Sequence, residues 1–352
     1  MARPAQGQRR PTLQDIADTI GVTANTVSRA LNDMPGVSVG TRERVKAEAK
    51  RIGYLPNANA RSLVLGSRRA IGMVVTNISN PFFAELVGKI ELEATTAGYT
   101  VQLFLSDESP EREEEAVDAA LNSGVDGLIG VPVQGHSNPW LRVTRAGVPL
   151  VLVSREMPEL AVDLFSAENE LGMYKSASAL LDLGARHPVL VEEDLPITTT
   201  QHRIEGFRRA LRDHGMPVDE RRIVLVPSRR SSRGAALPWQ ASDAQQLASD
   251  LLERGRPVDA FVVGNDFFAL GIYRALREHG LSVPRDAMVM GWGNYPFTLF
   301  MEPPLSTLVL PTDEIARGAF ARLLARLDGT AAPGIVTERF EPELVLRGST
   351  AR

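Results

Sequence analysis

Ala24, Asn25, Ser28 and Arg29 share one face of the segment 24–31, and Val27, Ala30 and Leu31 share the other. Small and polar groups outside with an apolar stripe inside suit a helix lying in the major groove of DNA. Thr23 is placed to cap this helix, and Gly21 lets the chain leave the helix before it with positive φ. That first helix has its own start signal, since Thr12 and Asp15 stand at capping-box spacing ahead of Leu13, Ile16, Ala17 and Ile20 on one face. An ordinary helical hairpin shows the same pattern, so the segment needs support from its surroundings. Chemistry of other kinds finds little footing. With no cysteine, disulfides, thiolate catalysis and Cys-based metal sites are excluded. The histidines at 136, 187, 202, 214 and 279 have no metal-ligand spacing, no nucleophile elbow occurs, and neither G-x-G-x-x-G nor a P-loop is present. The reading is therefore of a protein that is not an enzyme and has neither cofactor nor metal.

The supporting context is charge. Residues 1–69 carry 12 Lys/Arg against 5 Asp/Glu, whereas the rest of the 352-residue chain carries 27 against 38. A basic head on an acidic body points to a polyanionic partner at the head alone. The first 12 residues are basic and polar with no apolar run behind them, and no stretch is long enough to cross a bilayer, so a cytoplasmic protein without membrane contact is expected.

Residues 1–11 read as a flexible arm and 12–59 as the helical head, with a third helix near 41–52 capped by Thr41 and closed by Gly53. Residues 60–69 read as a linker able to form a short hinge helix. From residue 70 apolar strands alternate with amphipathic helices, at 71–76, 101–105, 127–131 and 150–154, then at 188–191, 223–226, 260–263 and 287–291, with further strands near 305–310 and 343–347. Such alternation implies parallel sheets covered on both faces, here two doubly wound lobes with a ligand crevice at the strand C-termini. The acidic run 111–115 is the solvated start of a helix, and 228–234 is a polar loop.

Ordered along the chain are Thr12-Leu13-Gln14-Asp15-Ile16-Ala17, Gly21-Val22-Thr23, Thr26-Val27-Ser28-Arg29-Ala30-Leu31-Asn32, Gly53-Tyr54-Leu55-Pro56-Asn57 and Ala60-Arg61-Ser62-Leu63. Asn80-Pro81-Phe82-Phe83, Val125-Asp126-Gly127, Arg203-Ile204-Glu205-Gly206-Phe207, Gly264-Asn265-Asp266 and Pro304-Leu305-Ser306-Thr307 follow. In this order they resemble the lactose-repressor (LacI/GalR) family of bacterial transcription regulators over nearly the whole chain. The resemblance implies an α/β protein with a helix-turn-helix head, a hinge helix, and a body like periplasmic binding proteins. The lobes are expected at about 70–165 plus 295–327 and 166–294 plus 328–352.

It further implies a homodimer on a pseudo-palindromic double-stranded operator, with Ala24, Asn25 and Arg29 facing bases. The side chains agree: Arg29 can pair with guanine, Asn25 with adenine, and Ala24 can meet a thymine methyl. Thr12, Thr23, Thr26, Ser28, Asn32 and Asn57 are expected at phosphates or the groove wall. Leu63 matches the leucine that wedges into the minor groove at the operator centre. In the body, Phe82, Arg155, Arg203, Asn265, Asp266 and Asn294 are expected around a carbohydrate-derived effector, with Trp239 a further candidate for stacking. Two readings of Arg155 stand, as a ligand-binding group and as the ion-pair partner of Glu156 or another acid. Where sugar-sensing members carry an acid, Gly291-Trp292-Gly293-Asn294 has Gly293, which makes an acidic or phosphorylated sugar derivative the expectation. A solute-binding protein of a transport system is the alternative function, and the basic helical head argues against it.

Overall fold

The computed structural model describes residues 11–54, 67–135, 139–228 and 238–351, with the side chains of 238 and 239 left aside. Asn57, Leu63, residues 60–66 of the expected hinge, residues 229–234 of the expected polar loop, the arm up to residue 10, His136 and the Trp239 side chain therefore lie outside the described residues. The chain divides into two compact units, one ending at Arg68 and one beginning at Arg69.

The first unit holds α1 (Leu13–Ile20), α2 (Ala24–Leu31) and α3 (Val39–Ile52). The Thr12 hydroxyl accepts the Asp15 N–H at 3.3 Å while the Asp15 carboxylate accepts the Thr12 N–H at 2.7 Å, the reciprocal capping box. Gly21 has φ 71°, which a residue with a Cβ adopts only at a cost, and Thr23 accepts the Thr26 N–H at 3.1 Å. The third helix begins earlier than expected. Ser38 is its N-cap and accepts the Thr41 N–H at 3.2 Å, so Thr41 lies inside the first turn. Ile16, Val27, Ala30 and Val45 are fully buried where the three helices meet.

In the second unit the chain runs β1 (Ala70–Val75), α4 (Pro81–Thr96), β2 (Thr100–Leu105), α5 (Pro110–Ser123), β3 (Gly127–Gly130), α6 (Trp140–Arg145), β4 (Leu150–Val153) and β5 (Asp163–Ala167). It continues through α7 (Asn169–Asp182), β6 (Pro188–Asp194), α8 (Thr198–Asp213), β7 (Ile223–Pro227), α9 (Pro238–Glu253), β8 (Ala260–Val263), α10 (Asp266–Glu278), β9 (Met288–Met290) and β10 (Thr307–Val309). It ends with α11 (Thr312–Leu327), β11 (Thr337–Phe340) and β12 (Glu343–Val345). One parallel sheet has the order β11-β5-β4-β3-β1-β2 and the other β7-β6-β8-β9. Alternate strand residues face opposite helical layers. Ile71, Met73 and Val75 pack with α4 and α11, whereas Val74 and Leu128 pack with α5 and α6. In the second sheet, Val189 and Val191 face α9 and α10 while Leu190 faces α7 and α8. Among the described residues no helix is long and apolar enough to cross a membrane.

The lobes exchange chain differently from the expectation. β5 and β11 both belong to the first sheet, so 337–340 leaves the second lobe to which 328–352 was assigned. Conversely β10 pairs with β12 and Ser306 bridges to Met290, which puts 306–309 with the second lobe rather than the first. The chain therefore crosses between lobes three times, just after β5, after β10 and after β11.

Candidate functional site

On the first unit, α2 presents Asn25 exposed and Ala24, Ser28 and Arg29 half-buried along one face, as their spacing requires. The Arg29 guanidinium does not project freely: one Nη donates to the Pro35 carbonyl, across Gly36. The short polar groups are engaged locally. Thr23 and Thr26 hydroxyls lie 2.9 Å apart, the Asn32 amide donates to the Ser28 carbonyl at 2.9 Å, and the Thr12 hydroxyl reaches Asp15 at 2.8 Å. These bonds fix the caps and ends of α1 and α2, and so the pitch at which α2 is offered. The other cations are partly self-paired, Lys46 with Asp33 at 2.7 Å and Arg51 with Glu48 at 2.6 Å.

In the second unit a cavity of about 70 Å³ separates the lobes. Its lining comes from the C-terminal ends of strands in both sheets: Asn80 and Phe82 beyond β1, Arg155 beyond β4, Asn169 beyond β5, Asn265 beyond β8, Trp292 and Tyr295 beyond β9. That is the crevice position for ligands of doubly wound sheets. Phe82, Arg155, Arg203 and Asn265 of the expected set meet there. Asn80, Ser154, Asn169, Thr199, Trp292 and Tyr295 also line it and were missed, because nothing in their local spacing reports that loops from two sheets converge.

Two expected residues do not reach the cavity. Asp266 is fully buried, and its carboxylate accepts the N–H of Trp292 at 2.7 Å, the N–H of Tyr295 at 2.9 Å and the Thr307 hydroxyl at 2.8 Å. Burial pushes its pKa up to about 6 against these stabilising bonds. It holds the turn that carries Trp292 and Tyr295. Asn294 has φ 54° and its Oδ1 accepts from Arg347 at 2.7 Å, on the side of the C-terminal segment. The same turn geometry thus explains both corrections.

Both cleft arginines are neutralised from behind. Arg155 pairs end-on with Glu108 at 2.6 and 2.7 Å and donates to the Pro132 carbonyl at 3.1 Å. The acid it pairs with is thus Glu108, while Glu156 pairs with Arg339 at 3.0 Å. Arg203 donates through Nε and Nη2 to Glu192 at 2.6 and 3.0 Å, and its guanidinium lies 5.2 Å from the Trp292 ring centroid. Gly264 permits this packing, because a Cβ there would stand 2.1 Å from the Glu192 carboxylate. The lobes also touch directly across the cleft. The Tyr295 hydroxyl donates to Asn80 at 3.0 Å, and at the rim the Thr198 N–H donates to Gln134 at 2.8 Å.

Comparison with known proteins agrees with this fold. A sequence profile described as bacterial regulatory proteins, lacI family, matches residues 12–57, and one described as a periplasmic binding protein-like domain matches 177–350. The transcriptional repressor CytR of Escherichia coli (strain K12) is 30% identical over 341 residues, 96% of each chain. The regulator MalR of Streptomyces coelicolor is 32% identical over 345 residues, again 96% of each. Among solved structures, a lac repressor dimer bound to operator and the anti-inducer ONPF superposes with a TM-score of 0.85 at 26% identity, covering 98% of this chain and 100% of that one. A CelR–cellobiose complex gives a TM-score of 0.71 at 26% identity over 97% and 100%. Each of these relatives is a regulator rather than an enzyme.

Proposed function

The chain belongs to the LacI family of bacterial DNA-binding transcriptional regulators, and from that premise we propose that it is a cytoplasmic repressor whose operator affinity is set by a small molecule held between its lobes. As a homodimer it places one α2 in each half of a pseudo-palindromic site, Asn25 and Arg29 reading bases and Ala24 packing on them. Thr12, Thr23, Thr26, Ser28, Asn32 and Asn57 fix the register against the phosphate backbone, and the paired Leu63 side chains kink the operator centre. Effector binding changes the separation of the lobes and shifts operator affinity by a coupling energy of ~1–3 kcal/mol.

The effector we propose is an uncharged polyhydroxylated molecule, a sugar or a sugar-bearing compound. The observation that carries this is the bidentate pairing of Arg155 with Glu108 and of Arg203 with Glu192. An anionic ligand needs uncompensated positive charge, whereas a hydroxyl needs only a donor such as the remaining Nη1 of Arg203. Asn80, Asn265 and Tyr295 supply further donors and acceptors, with Trp292 and Phe82 as apolar walls. This replaces the expectation of an acidic or phosphorylated sugar, which counted the arginines without their buried glutamates. Selection of an operator from random duplexes, followed by release assays with neutral sugars, nucleosides and sugar phosphates, tests both parts. Failure to select any duplex overturns the DNA reading, and response to sugar phosphates alone overturns the effector reading.

A further inference from the structure

A second cavity, of about 240 Å³, opens at the base of the second lobe, at the strand ends opposite the cleft. Its floor is apolar, from Val189 of β6, Leu251 of α9 and Val258 ahead of β8, and its wall is made by Arg221, Arg222 and Arg256 together with Asp219. The acids here are already engaged, Asp219 within the wall itself by Arg221. Asp219 accepts from the Arg221 backbone at 3.0 Å and from its guanidinium at 2.8 Å, and Asp259 accepts the backbone N–H groups of Arg186 and His187, each at 2.8 Å.

Arg222 forms no ion pair within 4.0 Å among the described residues, although, after Arg221, its charge helps to hold the Asp219 pKa down. Its Nη1 donates to the Pro188 carbonyl at 3.5 Å, its Nη2 stands 3.4 Å from His187 Nδ1, and its Nε is buried without a hydrogen-bond partner. Arg256 is exposed at the mouth and forms no ion pair among the described residues. A half-buried guanidinium with unmet donors is the group that oxyanions satisfy bidentately, and a buried N–H left unpaired favours any ligand that pairs it.

We propose that this cavity binds a small organic anion, a phosphate monoester or carboxylate on a compact apolar body. Arg222 and Arg256 clamp the oxyanion while Val189, Leu251 and Val258 cover the body. The site is separate from the effector cleft, whose arginines are already neutralised.

Calorimetric titration of the full-length protein with phenyl phosphate, benzoate, inorganic phosphate and benzyl alcohol tests this. Phenyl phosphate or benzoate is expected to bind one per chain and more tightly than inorganic phosphate, with no heat from benzyl alcohol. The stronger of the two anions identifies the source chemistry. Arg222→Gln and Arg256→Gln are each expected to weaken binding roughly tenfold or more, with operator affinity unchanged. Arg256→Gln, at an exposed position, keeps the test sound if Arg222→Gln fails to fold. Absence of anion binding overturns the proposal, as does benzyl alcohol binding as well as the anions. So does anion binding that survives Arg256→Gln unweakened, because the occupied site is then elsewhere.

Discussion

Arg29 bonds to the Pro35 carbonyl within its own unit, a neutral acceptor that a guanine edge can replace. Arg29→Ala is therefore expected to leave the head folded, relax base preference at one position of each half-site, and cost roughly 1–3 kcal/mol of operator affinity. Binding to a set of single-base operator variants reads this, and an unchanged preference profile removes Arg29 from base reading. Arg203 is different in kind, because its partner Glu192 is buried. Arg203→Ala strands that carboxylate and is expected to lower the body's stability by roughly 3–5 kcal/mol as well as to abolish the effector response. Glu192→Gln together with Arg203→Ala recovers much of the stability but not the response, which separates the two roles by thermal denaturation and release assay. Glu113 gives a pH signature. Unlike the solvated run 111–115 expected from sequence, it is fully buried, with Oε1 accepting the Val133 N–H at 2.5 Å, and burial pushes its pKa from an ordinary 4.5 up to about 7, with Arg155 and Glu108 the charged groups nearby. A raised carboxyl pKa means stability that is complete below the unfolded value and lost as pH climbs through the folded one. Glu113→Gln, which never ionises, should match the wild type near pH 4 and exceed it by up to roughly 3 kcal/mol above pH 7. A melting-temperature difference that stays constant with pH contradicts that assignment.

Between elements, the cleft is bridged by the loop ahead of α4 and the turn after β9 through Asn80 and Tyr295, and by the loop after β3 and the start of α8 through Gln134 and Thr198. These bonds hold the lobes together across the cavity. Separating the lobes to admit a ligand breaks these bonds, so they oppose opening. Tyr295→Phe removes the bridge and keeps the ring, and is expected to raise the effector association rate several-fold in stopped-flow measurements; a slower or unchanged rate contradicts the latch. The sequence foretold the elements that carry strong local signals. The capping box at Thr12, the left-handed Gly21 and the Thr23 cap set α1 and α2 to the residue, because each is a bond within four positions. The strands at 127–130 and 260–263 were legible as buried apolar runs. β5 was passed over because Asp163 sits inside it, held there by Arg326 at 2.8 Å and Arg322 at 3.0 Å from α11. β11, Thr337-Glu338-Arg339-Phe340, is an edge strand with polar side chains and reads as loop. For α11, Ile315, Ala316, Ala319, Phe320 and Leu323 do stand at helical spacing, so that element was readable and was missed. The cleft was half legible: resemblance supplied Phe82, Arg155, Arg203 and Asn265, but the inward turn of Asp266 and the glutamates behind both arginines are properties of three-dimensional packing.

At the scale of the whole molecule, charge separates the two binding events. The 12 Lys/Arg against 5 Asp/Glu in residues 1–69 make DNA affinity a matter of counterion release, while the excess of acids in the remaining chain, 38 against 27, repels the duplex everywhere else. The cleft contributes no net charge, because each of its arginines is matched by a buried glutamate. Operator binding should therefore depend steeply on salt and effector binding hardly at all. If the dimer makes six to ten phosphate contacts, operator affinity falls by roughly 10³–10⁵ between about 50 and 200 mM salt. Effector affinity, measured calorimetrically on the protein without DNA, should change less than about twofold over the same range, since buried and internally paired charges are little screened. A steep loss of effector affinity with salt means that an uncompensated arginine meets an anionic group in the cleft, and the neutral-ligand reading then fails. A flat salt response of operator binding means that the basic head is not neutralising phosphates, and the division of labour between head and body fails with it.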